Sequence, residues 1–232
     1  MNRTAAGRHA STLPSRPMLT RCLALATALT LLAVTSCTTV RSAGKTGKES
    51  RPVSGIAKVD LSGSGEVTIE QTGTESLTIE ADTNVLPYLT SDVSGDTLKL
   101  GVRSRTMLLS QAPIRYHLTV KELSGVILSG SGKVTIPKIT TGEISSTISG
   151  SGTITIGGSA DRQRLDMSGS GRYDAGGLTG SEATAKISGS GDAVVNVSDK
   201  LDVTISGSGT LTYSGRPQVI QDISGSGKLI QK

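Results

Sequence analysis

The chain of 232 residues has no Phe and no Trp, and its four tyrosines, Tyr88, Tyr116, Tyr173 and Tyr213, hold the aromatic share to 2%. That scarcity excludes a helical bundle packed by large side chains. It also argues against base-stacking nucleic-acid modules, which need exposed rings. Cysteine is limited to Cys22 and Cys37, and histidine to His9 and His117. What the chain has in excess is glycine, 29 residues, well above the usual share of about 7%. A hydrophobic fraction of 35% fits one domain of ordinary size with a modest tail.

Positive charge dominates, with 24 Lys and Arg against 19 Asp and Glu, a net of +5. Its placement matters more than its sum. Residues 1–36 hold Arg3, Arg8, Arg16 and Arg21 and no acid, and a 13-residue apolar run follows from Cys22 to Val34. This is a secretory signal pattern, and the run falls short of the ~20 residues needed to span a bilayer. Val34-Thr35-Ser36-Cys37 resembles the lipobox of bacterial lipoproteins. The resemblance implies cleavage before Cys37 and acylation of its thiol and new amino terminus. Several acyl chains, at about 0.8 kcal/mol per buried CH₂, anchor stably where one would not. Met18 offers an alternative start that gives a more compact signal. Thr38 after the cysteine, rather than Asp, favours the outer membrane of a Gram-negative cell by the same analogy.

Without residues 1–36 the basic count falls from 24 to 20, leaving about +1. Residues 37–52 carry Arg41, Lys45, Lys48 and Arg51 with Glu49 alone, and read as the lipidated cysteine and a flexible basic tether. From 53 to 232 there are 16 basic and 18 acidic residues, which is no footprint for nucleic acid. With Cys22 removed and Cys37 acylated, the folded part has no thiol for a disulfide, a metal or redox chemistry.

One tetrapeptide recurs. Ser-Gly-Ser-Gly begins at Ser62, Ser129, Ser149, Ser168, Ser188, Ser206 and Ser224. From Ser129 onward the intervals are 20, 19, 20, 18 and 18 residues. The residue before each tetrad is apolar: Leu61, Leu128, Ile148, Met167, Ile187, Ile205 or Ile223. The residue after is polar, and the next is apolar: Val67, Val134, Ile154, Tyr173, Ala193, Leu211 or Leu229. A period of two means strands with one buried face. A meander gives no reason for one corner to recur in one frame. A chain winding in one direction, each coil stacked ~4.8 Å on the last, does. The reading is an all-β parallel β-helix, or β-solenoid, with 18–20-residue coils and Ser-Gly-Ser-Gly corners. The second glycine of each tetrad is expected at φ > 0 and the serines in ladders. Residues 125–232 form the regular repeats. Residues 53–124 form wider coils that cap one end, with Pro217, Lys228 and Lys232 guarding the other.

The run Glu80-Ala81-Asp82-Thr83-Asn84-Val85-Leu86-Pro87-Tyr88-Leu89, then Ser94-Gly95-Asp96 and the tetrad coils, resembles a bacterial family of unknown function described as putative auto-transporter adhesin, head GIN domain. The resemblance covers about residues 53–232. It implies a right-handed β-helical fold and secreted or lipid-anchored members, and it brings no active-site residues with it.

Polysaccharide-cleaving solenoids need convergent carboxylates. Asp161, Arg162, Arg164 and Asp166 are the best candidates, against their reading as a solvated loop and outward strand face. Asp174, Asp192 and Asp222 do not align in the repeat. Calcium repeats would need an acid that the tetrads lack. His117 in Tyr116-His117-Leu118 reads as an ordinary strand residue. Ser42 and Lys45 match Ser-x-x-Lys only within the tether, and Gly44-Lys45-Thr46 lacks the rest of a phosphate loop. A threonine file at Thr68, Thr135, Thr155 and Thr212 reads as good strand surface, not an ice- or sugar-binding face.

These residues describe a lipid-anchored, extracytoplasmic envelope protein of the cell membrane or outer membrane. Its solenoid is expected to serve adhesion, interaction or structure and not catalysis. The membrane lipid is its expected partner through Cys37, beside an unidentified envelope or extracellular protein or glycan. No cofactor, metal site or catalytic residue is expected. The alternative is a carbohydrate-binding or polysaccharide-cleaving β-helix.

Overall fold

The computed structural model describes residues 38–109 and 112–232; the signal segment, Met18 and Cys37 lie outside the described residues. The described chain is built almost wholly of strands. They are β1 (Thr38–Arg41), β2 (Thr46–Arg51), β3 (Lys58–Gly63), β4 (Glu66–Gln71) and β5 (Ser76–Asp82). A 3₁₀ turn (Leu86–Tyr88) leads to β6 (Leu89–Ser94), β7 (Thr97–Val102), β8 (Thr106–Leu109), β9 (Arg115–Val120) and β10 (Gly125–Gly130). Then come four long strands, β11 (Lys133–Gly150), β12 (Thr153–Gly169), β13 (Arg172–Gly189) and β14 (Asp192–Gly207). The last three are β15 (Thr210–Ser214), β16 (Gln218–Gly225) and β17 (Lys228–Gln231).

From β10 onward each coil pairs in parallel with the next, forming a β-solenoid of about five turns. All seven tetrads stand in one column: Ser62 beside Ser129, then Ser149, Ser168, Ser188, Ser206 and Ser224 in register. Their backbones carry the ladder. The Ser151 N–H donates to Gly130 O at 2.9 Å, and the Thr153 N–H to Gly132 O at 3.0 Å. The same pair of bonds recurs at Ser170 and Arg172, Ser190 and Asp192, and Ser208 and Thr210.

The division of labour between the two glycines differs from expectation. It is the first glycine of each tetrad that has positive φ, from +102° at Gly225 to +128° at Gly207. The second has no left-handed backbone but no room: a Cβ on Gly191 would lie 2.1 Å from Met167 Sδ, and one on Gly171 2.5 Å from Ile148 Cγ2. The first glycine turns the chain, and the second lets the aliphatic residue of the adjacent coil enter the corner.

Inward residues form one continuous core, from Val59, Leu61, Val67 and Ile69 through Leu128, Ile148 and Met167 to Ile205 and Leu211. Each such side chain contributes about 1.5–3 kcal/mol of transfer free energy. Tyr173 and Tyr116 are buried within it, at 0% and 2% exposure.

The amino-terminal part is a cap with its own order. The coil of β3 and β4 stacks on β10 and β11, although 67 residues separate their tetrads. On its other side lie β7 and β9, parallel to β3 and β4, and beyond them β6 and β5 run antiparallel. Reversing the outermost strands ends the parallel stack. β2 pairs antiparallel with β5, so residues 46–51 are a cap strand and not free tether. Their polar composition suits an outer edge. Arg51 fastens the strand: its guanidinium donates to Leu89 O (2.8 Å), Leu86 O (3.0 Å) and Ser91 Oγ (3.2 Å).

Residues 38–44 are likewise held. β1 pairs with β8, and the buried Asp82 accepts hydrogen bonds from the Ser42 hydroxyl, the Ala43 N–H (2.8 Å) and the Gly44 N–H (3.1 Å) through Oδ2, and from the Asn84 N–H (2.9 Å) through Oδ1. The sequence shows only a short Thr/Ser/Gly-containing stretch with one arginine there. The anchoring acid is 40 residues away in the chain.

Candidate functional surfaces

Side chains facing out of a parallel stack form columns, because each coil sets its residues beside those of the last. After the tetrad, the first outward column reads Arg115, Glu66, Lys133, Thr153, Arg172, Asp192, Thr210 and Lys228. Beyond Arg115 the column continues into Glu80 of β5, so Glu66 and Glu80 flank the Arg115 guanidinium at 3.4 and 3.9 Å, while Asp192 lies several coils away. The next column is His117, Thr68, Thr135, Thr155, Asp174, Val194, Thr212 and Ile230. The threonine file therefore exists as a column, but Asp174, Val194 and Ile230 interrupt it. His117 is exposed in β9 between Thr68 and Thr78 and has no carboxylate in register to orient it as a base.

The candidate acids do not converge. Arg162 and Arg164 both lean toward Glu143, at 3.1 and 3.9 Å, forming an exposed ion-pair group across two coils. Asp161 points elsewhere, into an open groove. Asp166 stands on the face before the tetrad, in register with Thr147 and Lys186. Asp174, Asp192 and Asp222 occupy three different columns. Glycosidic cleavage needs two carboxyl groups within roughly 10 Å across one bond, one of them held protonated. The carboxylates displaced from their ordinary range move the other way. Backbone N–H groups hold Glu75 low, chiefly that of Ile56; the Ser42 hydroxyl holds Asp82 low; and Lys58 holds Asp96 low. Each fastens part of the cap. Burial pushes the phenols of Tyr116 and Tyr173 up to about 12, which leaves them neutral. No group of three or more His, Cys, Asp or Glu among the described residues is placed to hold a metal ion.

The groove holding Asp161 lies at a second corner of the coil. Ser159, Thr179 and Asn196 stand in register there, with Ser198 and Arg216 beside them, around about 570 Å³ of open space. Glycine again makes the close approach: a Cβ on Gly180 would lie 2.4 Å from Ala160 O, and one on Gly215 2.0 Å from Val197 O. Beneath the groove Gln163, 3% exposed, donates to Leu178 O (3.2 Å) and Asn196 O (3.1 Å). Four successive coils contribute to this groove. Its register is invisible to a repeat analysis keyed on the tetrad, because the coil length varies on this side.

A family profile described as putative auto-transporter adhesin, head GIN domain, matches residues 56–217. Among solved structures, a putative adhesin from Bacteroides fragilis is 21% identical, with a TM-score of 0.69 over 83% of this chain and 100% of that one. A putative adhesin from Parabacteroides merdae is 20% identical (TM-score 0.56; 84% and 99% covered). A putative lipid binding protein from Parabacteroides distasonis is 22% identical (TM-score 0.53; 84% and 99% covered). At these identities the likeness concerns the fold. No curated protein matches the chain.

Proposed function

The chain belongs to the putative auto-transporter adhesin, head GIN domain family, and from that premise we propose that it is a lipid-anchored envelope protein whose solenoid presents a rigid, non-enzymatic surface for adhesion. The observation that carries this reading is the stack itself. Seven corners in register hold the outward columns at fixed ~4.8 Å intervals, while Asp161, Asp166, Asp174, Asp192 and Asp222 are not set beside one another, and Glu66 and Glu80, which do approach, are both engaged by Arg115. A hydrogen-bonded stack loses little backbone freedom on contact, so its largely polar, regularly spaced face suits binding to an extended partner. The groove of Ser159, Asp161, Thr179, Asn196 and Arg216 adds hydroxyl, amide and charged groups of the sort that hold a glycan chain.

Acylation of Cys37 places the solenoid outside the cytoplasm. No helix among the described residues is long and apolar enough to cross a membrane. Cell fractionation of Cys37→Ala tests the anchor: the variant is expected in the soluble fraction, and retention in membranes refutes acylation at that residue. Crosslinking on intact cells, with protease accessibility in parallel, tests the adhesive role. Recovery of an extracellular protein or glycan supports it. Steady cleavage of neutral or acidic polysaccharides by the purified protein overturns it.

A further inference from the structure

We propose that the ribbon of β1 and β8 rests directly on an anionic lipid surface, so that the capped end of the solenoid lies flat against the membrane. The proposal rests on the lipid-anchored reading of Cys37.

The ribbon begins at once. Cys37 is joined to Thr38 by a single peptide, which sets their Cα atoms about 3.8 Å apart. The Thr38 N–H donates to Arg105 O at 2.9 Å, and Thr38–Arg41 pairs in register with Thr106–Leu109. An acylated cysteine therefore has no slack chain behind it, and whatever the ribbon exposes meets the headgroups.

What it exposes suits them. Val40 and Leu108 pack toward the core. By strand alternation, Thr39, Arg41, Met107 and Leu109 face the other way. Met107 is 57% exposed and Leu109 51%, the two most exposed large apolar side chains described. Around them residues 38–45 and 101–109 hold Arg41, Lys45, Arg103 and Arg105 and no acid. The nearby Asp82 is spent on Ser42, Ala43 and Gly44. None of the four cations forms an ion pair with a described residue. Arg103 stands over the Tyr88 ring, 5.9 Å from its centroid, and Tyr88 and Arg41 line an open groove beside β1 with Thr39, Ser42 and Asn84. Exposed apolar side chains set among unpaired cations match the boundary between anionic headgroups and acyl chains. Each cation near such a surface raises the docked-to-undocked ratio by roughly fivefold.

The test uses the full-length protein, extracted from membranes and reconstituted in phosphatidylcholine vesicles with and without a quarter of phosphatidylglycerol. An environment-sensitive fluorophore on Met107→Cys is compared with one on Ile230→Cys, an exposed position on the last coil (45%). Spin-labelled lipid is expected to quench the probe at 107 at least threefold more than that at 230, and more with phosphatidylglycerol present. Arg41→Gln with Arg105→Asn, the latter a residue that tolerates the φ of 61° there, should lower the docked-to-undocked ratio by roughly 25-fold on the same estimate. Recovery with the vesicles should not change. Equal quenching at 107 and 230 in vesicle-bound protein overturns the proposal. The mass and thiol content of the parent chain report the anchor separately. If Cys37 is free, the anchoring reading fails; the ribbon proposal then stands if 107 is still quenched on anionic vesicles and falls if it is not.

Discussion

Gly63, Gly169 and Gly177 separate the two demands a solenoid corner makes on glycine. Gly63 and Gly169 are both first glycines of tetrads, with nearly the same backbone, φ +112° and +114°. A Cβ on Gly63 meets nothing within 4 Å. On Gly169 it lies 2.5 Å from Gly150 O and 3.2 Å from Gly150 C, in the backbone of the neighbouring coil. Gly63→Ala therefore reports the conformational cost alone, about 1–3 kcal/mol for a residue held where side chains rarely go. Gly169→Ala adds an overlap that no rotamer can relieve, because the obstructing atoms belong to a strand hydrogen-bonded on both sides. Overpacking of that kind costs about 1–3 kcal/mol more, so the total is about 2–6 kcal/mol. Gly177 is the control: its φ is unremarkable and the nearest atom to a Cβ is 3.7 Å away. Ala there is expected to leave stability unchanged within about 0.5 kcal/mol. At roughly 2–4 °C per kcal/mol for a domain of this size, thermal unfolding followed by circular dichroism should rank the Tm values as Gly177→Ala above Gly63→Ala above Gly169→Ala. Equal losses for Gly63→Ala and Gly169→Ala would refute the claim that close stacking of coils, beyond the local turn, demands glycine.

Gly191→Val is expected to cost more than Gly177→Val in denaturant midpoint through collision with Met167, and Met167→Ala should recover part of the loss by making room. The lowered pKa of Asp82 sets an acid limit on the cap. Its anion contributes stability fully above the ordinary value of 3.8, and the contribution is lost as pH falls through the lower folded value. Amide exchange at Ala43 and Gly44 should accordingly stay slow at pH 5, relative to intrinsic rates, and quicken well below pH 3.8. Asp82→Asn should show the fast behaviour at pH 5, and slow exchange in that variant would show that the carboxylate does not hold the segment. The Tyr173 and Ser146 hydroxyls are buried facing each other, without a well-formed hydrogen bond to any described residue. Replacing both, as Tyr173→Phe with Ser146→Ala, should raise stability by about 1 kcal/mol, and a clear loss in chemical denaturation would show that the hydroxyls are satisfied.

The fold was legible in the sequence because a solenoid writes its geometry as a repeat. The tetrads mark the corners and the alternation marks the strands, and their common frame requires a chain that winds one way, as Ser62 through Ser224 do. The narrow bore is filled mainly by Val, Ile, Leu and Ala, with one methionine and the two tyrosines Tyr116 and Tyr173 among them. The role of each glycine was not legible, since sequence cannot tell a residue that needs positive φ, such as Gly169, from one that needs an absent Cβ, such as Gly171. That distinction lies in the adjacent coil.

The cap was hidden for a related reason. Residues 38–51 read as a tether because their composition is polar and their partners are far off in the chain: β8 for β1, β5 for β2, and Asp82 for Ser42. Local sequence carries no trace of a hydrogen bond made across 40 residues. The candidate acids are kept apart for the opposite reason. Asp161 and Asp166 are close in sequence, but five residues of strand carry the chain from one face of the coil to another and turn neighbours into groups that cannot cooperate. Sequence alone determined the period, the buried face and the corner, because these depend on each residue and its equivalents one coil away. Only the tertiary structure decided which polar segments are pinned and which charges meet, because those depend on contacts with no fixed spacing.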